Sequence, residues 1–510
     1  MSDSKPTQEG KKLKRGSSYD KFIITVFFFN IASYFVSTYL FIILSLVFIS
    51  YLMLKFVWDR FKIEQKMMKY KWYKKIHFYW IFRKIRKQSK SMNQTQVLLI
   101  KHLMGIPIEE GEDEAKTFID VKKHAGESWP FMVTVKDTRD PKVTVKDKRV
   151  ECISSYTYLD LAREERIQEA AIEAARRYST GNHGPRMLCG NLEILEQLEE
   201  KIAKFFRRES ALVFSSGYLA CMSTIAGVAR KGDLLLMDRL SHASLRAGAK
   251  LSSAKTVYFK HNDFKDAEKQ IKKHRWDRVI MVIEGVYSMD GDVGFLDQAR
   301  ALSDNYKALL ILDEAHSLGA IGKTGHGTEE MYDWKFKADI ICGSFTKSIA
   351  SVGGFIACSK NLRDFYTFYA PGSVFSAPLS AYHCGAADKA FEIIEKEPER
   401  VEKLQKNSEY LRNKFREHKF NIGDTISCVI PVIFIDIVQC FKIYEYLLKK
   451  KGLLSSVVMI PGCPINAPRF RITASSNMTK EQMDNIVRGF VEAREAHAEN
   501  PELKEFFQAI

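Results

Sequence analysis

From about residue 160 onward the chain alternates short apolar runs with stretches of helical periodicity, and this alternation constrains the fold more than any other feature. The runs are residues 211–214, 234–237, 279–283 and 309–312, and amphipathic segments such as 195–206 lie between them. Short apolar runs separated by helical segments predict buried parallel strands joined by crossover helices. We therefore predict an α/β fold with a large, doubly wound, mostly parallel sheet that is covered by helices on both faces.

Small and polar residues come after several of the predicted strands. Ser215-Ser216-Gly217, Glu284-Gly285, Asp313 and Ser344 all stand directly after or at the end of an apolar run. In open α/β sheets, ligands bind at the carboxyl ends of the strands. The sequence therefore predicts a ligand site at this edge of the sheet.

Asp313 and Lys347, separated by 34 residues, indicate which ligand binds at this edge. A lysine amine can form a Schiff base with an aldehyde cofactor, and a carboxylate can keep a pyridine nitrogen protonated. Asp313 comes after the apolar run 309–312, where desolvation penalises an anion unless a cation faces it. Taken alone, Lys347 could be an exposed lysine at a helix start, and Asp313 could be a helix cap. Together they predict pyridoxal 5'-phosphate (PLP).

Further candidates have weaker signals. Ser216-Gly217-Tyr218 stands between a strand and a helix, where free amides favour a phosphate. His242 could stack on a cofactor ring or be an ordinary surface or core histidine. Alternation places Arg469 and Arg471 on one face of a strand, where one of them could bind a carboxylate or both could be solvated.

The amino-terminal region predicts contact with a membrane. Residues 22–54 contain no charged side chain over 33 positions, more than the about 20 needed to cross a bilayer. Residues 55–90 carry 13 Lys/Arg against two acidic residues and many aromatics, as interfacial segments do. We predict a basic tail (1–21), a transmembrane anchor (22–54) and a basic aromatic interfacial segment (55–90). A tight membrane hairpin and a solvated basic linker are the respective alternatives.

Charge location argues against nucleic acid as a partner. The formal net charge is +16, of which residues 55–90 hold +11 and residues 1–21 hold +3, so residues 91–510 are nearly balanced. A basic cluster beside an apolar span indicates anionic lipid headgroups instead. Because most of the positive charge lies after the span, the downstream domain is predicted to be cytosolic.

The remainder of the chain predicts three regions. Residues 91–160 form a connecting segment with a hairpin, in which Val-Thr-Val-Lys-Asp at 133–137 recurs at 143–147 around a proline-containing turn. Residues 161–395 form a large PLP-binding domain, and residues 396–510 form a small carboxyl-terminal α/β domain. The nine cysteines contain no Cys-x-x-Cys pair, so neither disulfides nor a metal site are predicted.

Three motifs resemble the α-oxoamine synthase family of fold-type-I PLP enzymes. They are Glu-Gly-Val-Tyr-Ser-Met-Asp-Gly-Asp at 284–292, Asp-Glu-Ala-His-Ser at 313–317 and Gly-Ser-Phe-Thr-Lys-Ser at 343–348. The resemblance covers residues 154–488, roughly two thirds of the chain. The serine of the second motif and the Thr-Lys-Ser of the third are the details typical of the family members that use L-serine. Since Lys347 and His242 are both present, the chain resembles the catalytically competent type of subunit.

The resemblance implies roles for individual residues. It makes Lys347, His242 and Asp313 catalytic, with Lys347 on the cofactor aldehyde, Asp313 on the pyridine nitrogen and His242 stacked on the ring. Further cofactor contacts are implied for His316, near the phenolic oxygen, and for Gly217, Tyr218, Ser288, Ser344 and Thr346. The substrate candidates are Arg471, on the carboxylate, and Thr157, which stands where the family has the asparagine of Asn-Tyr-Leu-Gly.

The activity implied is a membrane-anchored, decarboxylative condensation of L-serine with a long-chain acyl-CoA such as palmitoyl-CoA. Its product is 3-ketosphinganine, the first intermediate of sphingolipid biosynthesis. The resemblance also implies a single-pass protein of the endoplasmic reticulum membrane that contacts membrane lipids. A homodimer or a heterodimer with a related subunit is expected, with small regulatory membrane proteins as further candidate partners. The rivals are an α-oxoamine synthase that uses glycine or alanine, and a non-catalytic membrane subunit of such a complex.

Overall fold

The computed structural model describes residue 122 and residues 129–139, 142–459, 462–464 and 466–498. The tail, anchor and interfacial segment predicted within residues 1–90 lie outside the described residues. Among the residues that are described, no helix is both long and apolar enough to cross a bilayer. The longest of these helices, Glu399–Glu417, has 19 residues but is mostly polar. The predicted localisation, a single-pass protein of the endoplasmic reticulum membrane with a cytosolic catalytic domain, is therefore wrong.

The first two described strands form a hairpin whose register differs from the prediction. β1 (Lys142–Val145) pairs antiparallel with β2 (Lys148–Cys152), and residues 133–137 do not form a strand. The turn consists of Lys146 and Asp147, which both have positive φ. Two-residue turns of this kind match the twist of the flanking strands. The second copy of the near-repeat therefore pairs with the residues immediately after it instead of with the first copy.

A seven-stranded sheet forms the centre of the described chain. Its strands are β3 (Ser210–Phe214), β4 (Asp233–Asp238), β5 (Lys255–Phe259), β6 (Arg278–Glu284), β7 (Leu309–Asp313), β8 (Ile340–Ser344) and β9 (Gly354–Cys358). The order across the sheet is β3-β9-β8-β7-β6-β4-β5. β5, β4, β6, β7 and β8 pair in parallel, whereas β9 runs antiparallel to both β3 and β8. The predicted α/β fold is confirmed, and its sheet is mixed because of β9.

Helices precede this sheet in the chain, join most of its strands and follow its last strand. They are α1 (Glu165–Tyr178), α2 (Glu193–Phe205), α3 (Gly217–Val228), α4 (Ala243–Leu251), α5 (Phe264–Lys273), α6 (Leu296–Tyr306), α7 (Thr328–Met331), α8 (Lys360–Tyr369), α9 (Pro371–Val374) and α10 (Ala381–Lys396). A short 3₁₀ turn, Leu161–Arg163, precedes α1.

Strand β6 shows how both faces of the sheet are covered. Ile280 and Val282 belong to a buried cluster that includes side chains of α3, α4 and α8. Val279, Met281 and Ile283 point to the opposite face and pack with side chains of α5 and α6. Because successive side chains of a strand alternate between faces, two apolar layers require a strand that is apolar throughout. The uninterrupted apolar runs of the sequence have this physical cause.

Strands of the carboxyl-terminal part form one small sheet and contribute one strand to a second sheet, which contains the hairpin β1–β2. Its elements are α11 (Glu399–Glu417), β10 (Val429–Ile433), α12 (Ile437–Tyr446) with a π-helical end (Leu447–Lys451), β11 (Leu453–Leu454), β12 (Val457–Val458), β13 (Arg469–Thr473) and α13 (Lys480–Ala496). β13 lies between β10 and β12 and is antiparallel to both. β11 pairs in parallel with β2, so the amino-terminal hairpin is attached to the carboxyl-terminal part. The division of the chain after residue 395 stays a prediction.

His261 links two carboxylates next to the β4 end of the sheet. Its Nδ1 lies 3.0 Å from Asp238 Oδ1, and its Nε2 lies 2.6 Å from Asp292 Oδ2. Burial lowers the pKa of His261, but the hydrogen bonds to the two aspartates outweigh burial and raise the pKa from 6.5 to about 10. Asp238 also accepts the amide of Leu240, two residues before His242. The charged His261 therefore stabilises the turn that carries His242.

We expect His261→Gln to destabilise the protein by about 2 kcal/mol near neutral pH, because the buried Asp238 loses a charged partner. A pKa raised by folding contributes stability that is complete below the unfolded pKa of 6.5 and is lost as the pH rises through about 10. The stability gap between wild type and variant should therefore shrink between these two pH values. Urea unfolding at several pH values measures the gap, with exposed His418→Gln as the control. A gap that is independent of pH would contradict the assignment.

Candidate active site

The start of α3 and the end of β8 approach each other so closely that only glycine fits at position 217. A Cβ on Gly217 would lie 2.4 Å from Ser344 Cβ, far inside van der Waals contact. Gly217 is the first residue of α3, and the preceding Ser216 caps this helix by accepting the Leu219 amide at 3.1 Å. Free amides at a helix start bind phosphate. The free amides at the start of α3 can therefore bind a phosphate group, while the close contact with Ser344 requires glycine at position 217.

Hydroxyl groups border this helix start. Ser344 Oγ lies 2.8 Å from Thr346 Oγ1, and the Thr346 amide donates to Ser344 Oγ. Tyr218, the second residue of α3, is half exposed. Gly217, Tyr218 and Ser344 are the residues expected at the phosphate, and Thr346 is a further expected cofactor contact; they lie at the start of α3 and at the end of β8.

Asp313, the last residue of β7, is a buried carboxylate without an ion pair among the described residues. Its Oδ1 accepts the Ala315 amide at 2.9 Å, and its Oδ2 accepts the thiol of Cys221 at 3.4 Å. Burying an anion is costly unless a cation or several hydrogen bonds compensate it. A protonated pyridine nitrogen supplies such a cation, so the carboxylate fits PLP.

Glu284, which is paired with Asp313 in the sheet, is hydrogen bonded to the backbone of a neighbouring loop. Burial, and next the charge of Asp313, raise the pKa of Glu284 well above its usual value. Its Oε1 accepts the backbone amide of His242, the residue that caps the start of α4. Part of His242 is exposed to solvent, and its Nδ1 lies 2.7 Å from Ser244 Oγ. The position of this ring is therefore set by its own loop and by Glu284.

Tyr156, which the sequence analysis did not single out, lies close to the groups that are expected to act on the substrate. Its ring centroid lies 5.4 Å from Lys347 Nζ, 4.7 Å from Arg471 Cζ and 5.9 Å from the ring of His316. Burial raises the pKa of Tyr156, but Arg471 and Lys347 outweigh burial and lower it overall. Lys347, which lies shortly after β8, is half-buried. Tyr156 therefore lies close to both the expected aldehyde-binding amine and the expected carboxylate-binding guanidinium.

His316 is held in its neutral form. It is buried, and its Nδ1 lies 2.8 Å from the hydroxyl of Tyr158. Burial, and next the charges of Lys347 and Arg471, lower the pKa of His316 well below its usual value. The same two cations, after burial, lower the pKa of His242, against the opposing charge of Asp313. Both histidines therefore share one electrostatic environment with the lysine, the arginine and the aspartate.

The two arginines of β13 have different surroundings. Arg469 Nη1 donates to Asp290 Oδ1 at 2.7 Å and to the Met289 carbonyl at 3.1 Å. Arg471 is also buried, but its Nε has no hydrogen-bond partner among the described residues. Of the two, Arg471 is thus the one that remains available for a substrate carboxylate.

Two other expected site residues are placed differently. Thr157 hydrogen bonds to Ser155 through its hydroxyl at 2.7 Å and lines a separate cavity together with Arg163 and Thr473. Ser288 is buried shortly after β6. Their roles stay predictions.

Tyr156, Tyr158 and Cys221 were missed as site residues, whereas Glu284 was placed at the ligand-binding edge of the sheet without a role of its own. Tyr156 and Tyr158 flank Thr157 in the sequence, and this pair of aromatics beside a motif position was the available signal.

The fold and this set of residues define a PLP-dependent transferase of fold type I. Residues 150–490 match the family described as aminotransferase class I and II. The chain is 34% identical to a serine palmitoyltransferase of Bacteroides thetaiotaomicron, over 76% of this chain and 98% of that protein. It is also 34% identical to a putative 8-amino-7-oxononanoate synthase of Acetivibrio thermocellus, over 70% of this chain and 92% of that protein.

Solved structures of serine palmitoyltransferases are also similar to this chain. A Sphingomonas wittichii serine palmitoyltransferase superposes with a TM-score of 0.73 at 26% identity, covering 77% of this chain and 99% of that chain. A serine palmitoyltransferase of S. paucimobilis, solved with a bound PLP–myriocin aldimine, also gives a TM-score of 0.73 at 26% identity, with 75% and 97% covered. The chain belongs to the aminotransferase class I and II family and, within it, to the α-oxoamine synthases. It is a PLP-dependent enzyme of the acyltransferase type.

Proposed function

We propose that this enzyme condenses L-serine with a long-chain acyl-CoA such as palmitoyl-CoA and releases 3-ketosphinganine, CoA and CO₂. The observation that carries the proposal is the placement of Lys347 and Arg471 on the same tyrosine ring, Tyr156. An amine for the cofactor aldehyde and a guanidinium for a carboxylate are what an α-amino acid substrate needs. The similarity to serine palmitoyltransferases supports serine as this amino acid.

The chain's own groups divide the chemistry between them. When bound, PLP supplies an aldehyde for amines and an electron-accepting ring. Asp313 would keep the ring nitrogen of the cofactor protonated, and His242 would lie against the ring. Arg471 binds the serine carboxylate, and Lys347, once its amine is free, removes the Cα proton. The acyl carbonyl carbon then bonds to this Cα, and the CoA thiolate leaves and accepts a proton. The carboxylate departs as CO₂, its bonding electrons stay on Cα, and Cα takes up a proton.

A second candidate is an α-oxoamine synthase that uses alanine or glycine. The equal identity to a putative 8-amino-7-oxononanoate synthase favours keeping it. Arg471 and Lys347 would serve any α-amino acid, so these two residues do not select the side chain.

We expect CoA release from the PLP-loaded protein with L-serine and palmitoyl-CoA, and a product with the mass of 3-ketosphinganine. Mass spectrometry with mixed amino acids and acyl-CoAs of several lengths identifies both substrates in one experiment. A preference for alanine or glycine would establish the second candidate. Absence of any condensation product would refute both.

We also propose an assembly of two subunits, either two copies of this chain or this chain with a related subunit. Large apolar side chains that are exposed in the single chain support this proposal, among them Leu188, Phe368, Tyr369 and Phe375. Exposed apolar groups of this size are typical of interfaces. The large domain (161–395) would then carry the cofactor residues, while the small domain (396–510) would supply Arg471.

A further inference from the structure

Two buried thiols lie beside the carboxylate of Asp313. Cys221 lies on α3, one turn after Gly217, and Cys342 lies on β8 as the pairing partner of Asp313. Both cysteines are buried, and their Sγ atoms and an Asp313 oxygen all lie within 4.8 Å of one another. Neither cysteine takes part in the proposed chemistry, although both lie against the group that is expected to hold the cofactor ring.

The hydrogen bonds of Asp313 show what Cys221 contributes. Oδ1 is fixed by the Ala315 amide, whereas Cys221 is the only donor to Oδ2 among the described residues. A carboxylate oxygen can accept more than one hydrogen bond, so the thiol leaves room for a further donor. A thiol is also a weak donor and offsets little of the negative charge. Cys221 can thus orient this oxygen while leaving most of its charge for a cation.

A metal ion is the alternative occupant of this cluster, because two sulfurs and a carboxylate are suitable ligands at this spacing. Metal binding requires thiolates. The hydrogen bond with Cys221, and next burial, raise the pKa of Cys342 well above its usual value. The raised pKa of Cys342 favours a neutral thiol at that position. The hydrogen bond from Cys221 to Asp313 likewise requires a protonated thiol at Cys221.

We propose that Cys221 is a positioning residue that orients Asp313 Oδ2 toward the ring nitrogen of PLP. This inference rests on the proposed placement of Asp313 at that nitrogen. It goes beyond that placement, because it assigns the strength of the carboxylate–ring contact to a thiol on another element.

The matched pair Cys221→Ala and Cys221→Ser tests the proposal, because the two substitutes have nearly equal volumes and differ only in a hydroxyl that can donate a hydrogen bond. We expect Cys221→Ala to weaken PLP binding about fivefold, as loss of one modest hydrogen bond does. It should also shift the pH at which the absorption of the bound cofactor changes. Cys221→Ser should restore both properties. PLP titration of the apo-protein and spectra recorded across pH measure them without any turnover.

Cys358 provides the control. It is buried on β9, and its thiol makes no hydrogen bond within the described part of the chain, so Cys358→Ala and Cys358→Ser should bind PLP alike. Equal PLP affinity and equal spectra for Cys221→Ala and Cys221→Ser would overturn the inference, as would the same changes in the Cys358 pair. If Cys221→Ala does not fold, Cys221→Val replaces it as the donor-free variant, with the same expected results.

Asp313→Asn separates this inference from the proposed function. If Asp313→Asn changes PLP affinity and spectrum but the Cys221 pair does not, the inference about Cys221 is wrong and the placement of Asp313 stands. If Asp313→Asn changes neither, the placement of Asp313 is wrong and the inference falls with it.

Discussion

Lys347→Ala is expected to lower the rate of product formation by about three orders of magnitude or more, because a positioned general base alone contributes about 10²–10⁴-fold. The variant also loses the amine that binds the cofactor aldehyde. Borohydride reduction of the wild-type protein, followed by peptide mapping, should label position 347 with PLP. The variant should contain no label there, even where it still binds PLP noncovalently through the phosphate site at Gly217.

Lys360→Ala is the matched control, since Lys360 is an exposed lysine at the start of α8. It should keep full activity and the label at Lys347. A Lys347→Ala variant with wild-type turnover, or a wild-type label at another lysine, would remove the basis of the proposed mechanism.

Arg471→Ala is expected to lower kcat/KM for L-serine by about 30- to 1,000-fold. Losing one partner of a buried, hydrogen-bonded charge pair costs about 2–4 kcal/mol. The loss should fall mainly on the KM for serine, because Arg471 is expected to bind the carboxylate before the reaction begins. Initial rates at varied serine and fixed acyl-CoA measure it, and the KM for the acyl-CoA should be unchanged.

Arg469→Ala tests whether the effect is specific. Arg469 lies two residues away on the same strand but is paired with Asp290, so its loss should lower stability and leave the KM for serine nearly unchanged. Equal effects of the two substitutions on this KM would contradict the assignment of Arg471.

The strand ends were predictable because parallel strands buried on both faces need uninterrupted apolar runs, and the residues after such runs lie together at one edge of the sheet. Asp313 and Ser344 were found in this way. Tyr156 and Cys221 were not, because their contacts join elements that are distant in sequence. The hairpin prediction failed for a local reason: the turn formed at Lys146 and Asp147, which lack the usual glycine.

The attachment of β11 to β2 has a consequence for how the enzyme matures on the ribosome. The stretch that is proposed to hold the vitamin-derived cofactor, from Gly217 to Lys347, is synthesised more than a hundred residues before Arg471. The loop with Tyr156 is synthesised before both of these. The strand that precedes this loop, β2, nevertheless pairs with Leu453–Leu454, which are synthesised much later. Domains fold as units during synthesis, with the amino-terminal parts first. A nascent chain should therefore complete the strand ends that are proposed to bind the cofactor before it gains the guanidinium that is proposed to bind the substrate carboxylate, and the loop with Tyr156 is anchored only after Leu453–Leu454 have been made.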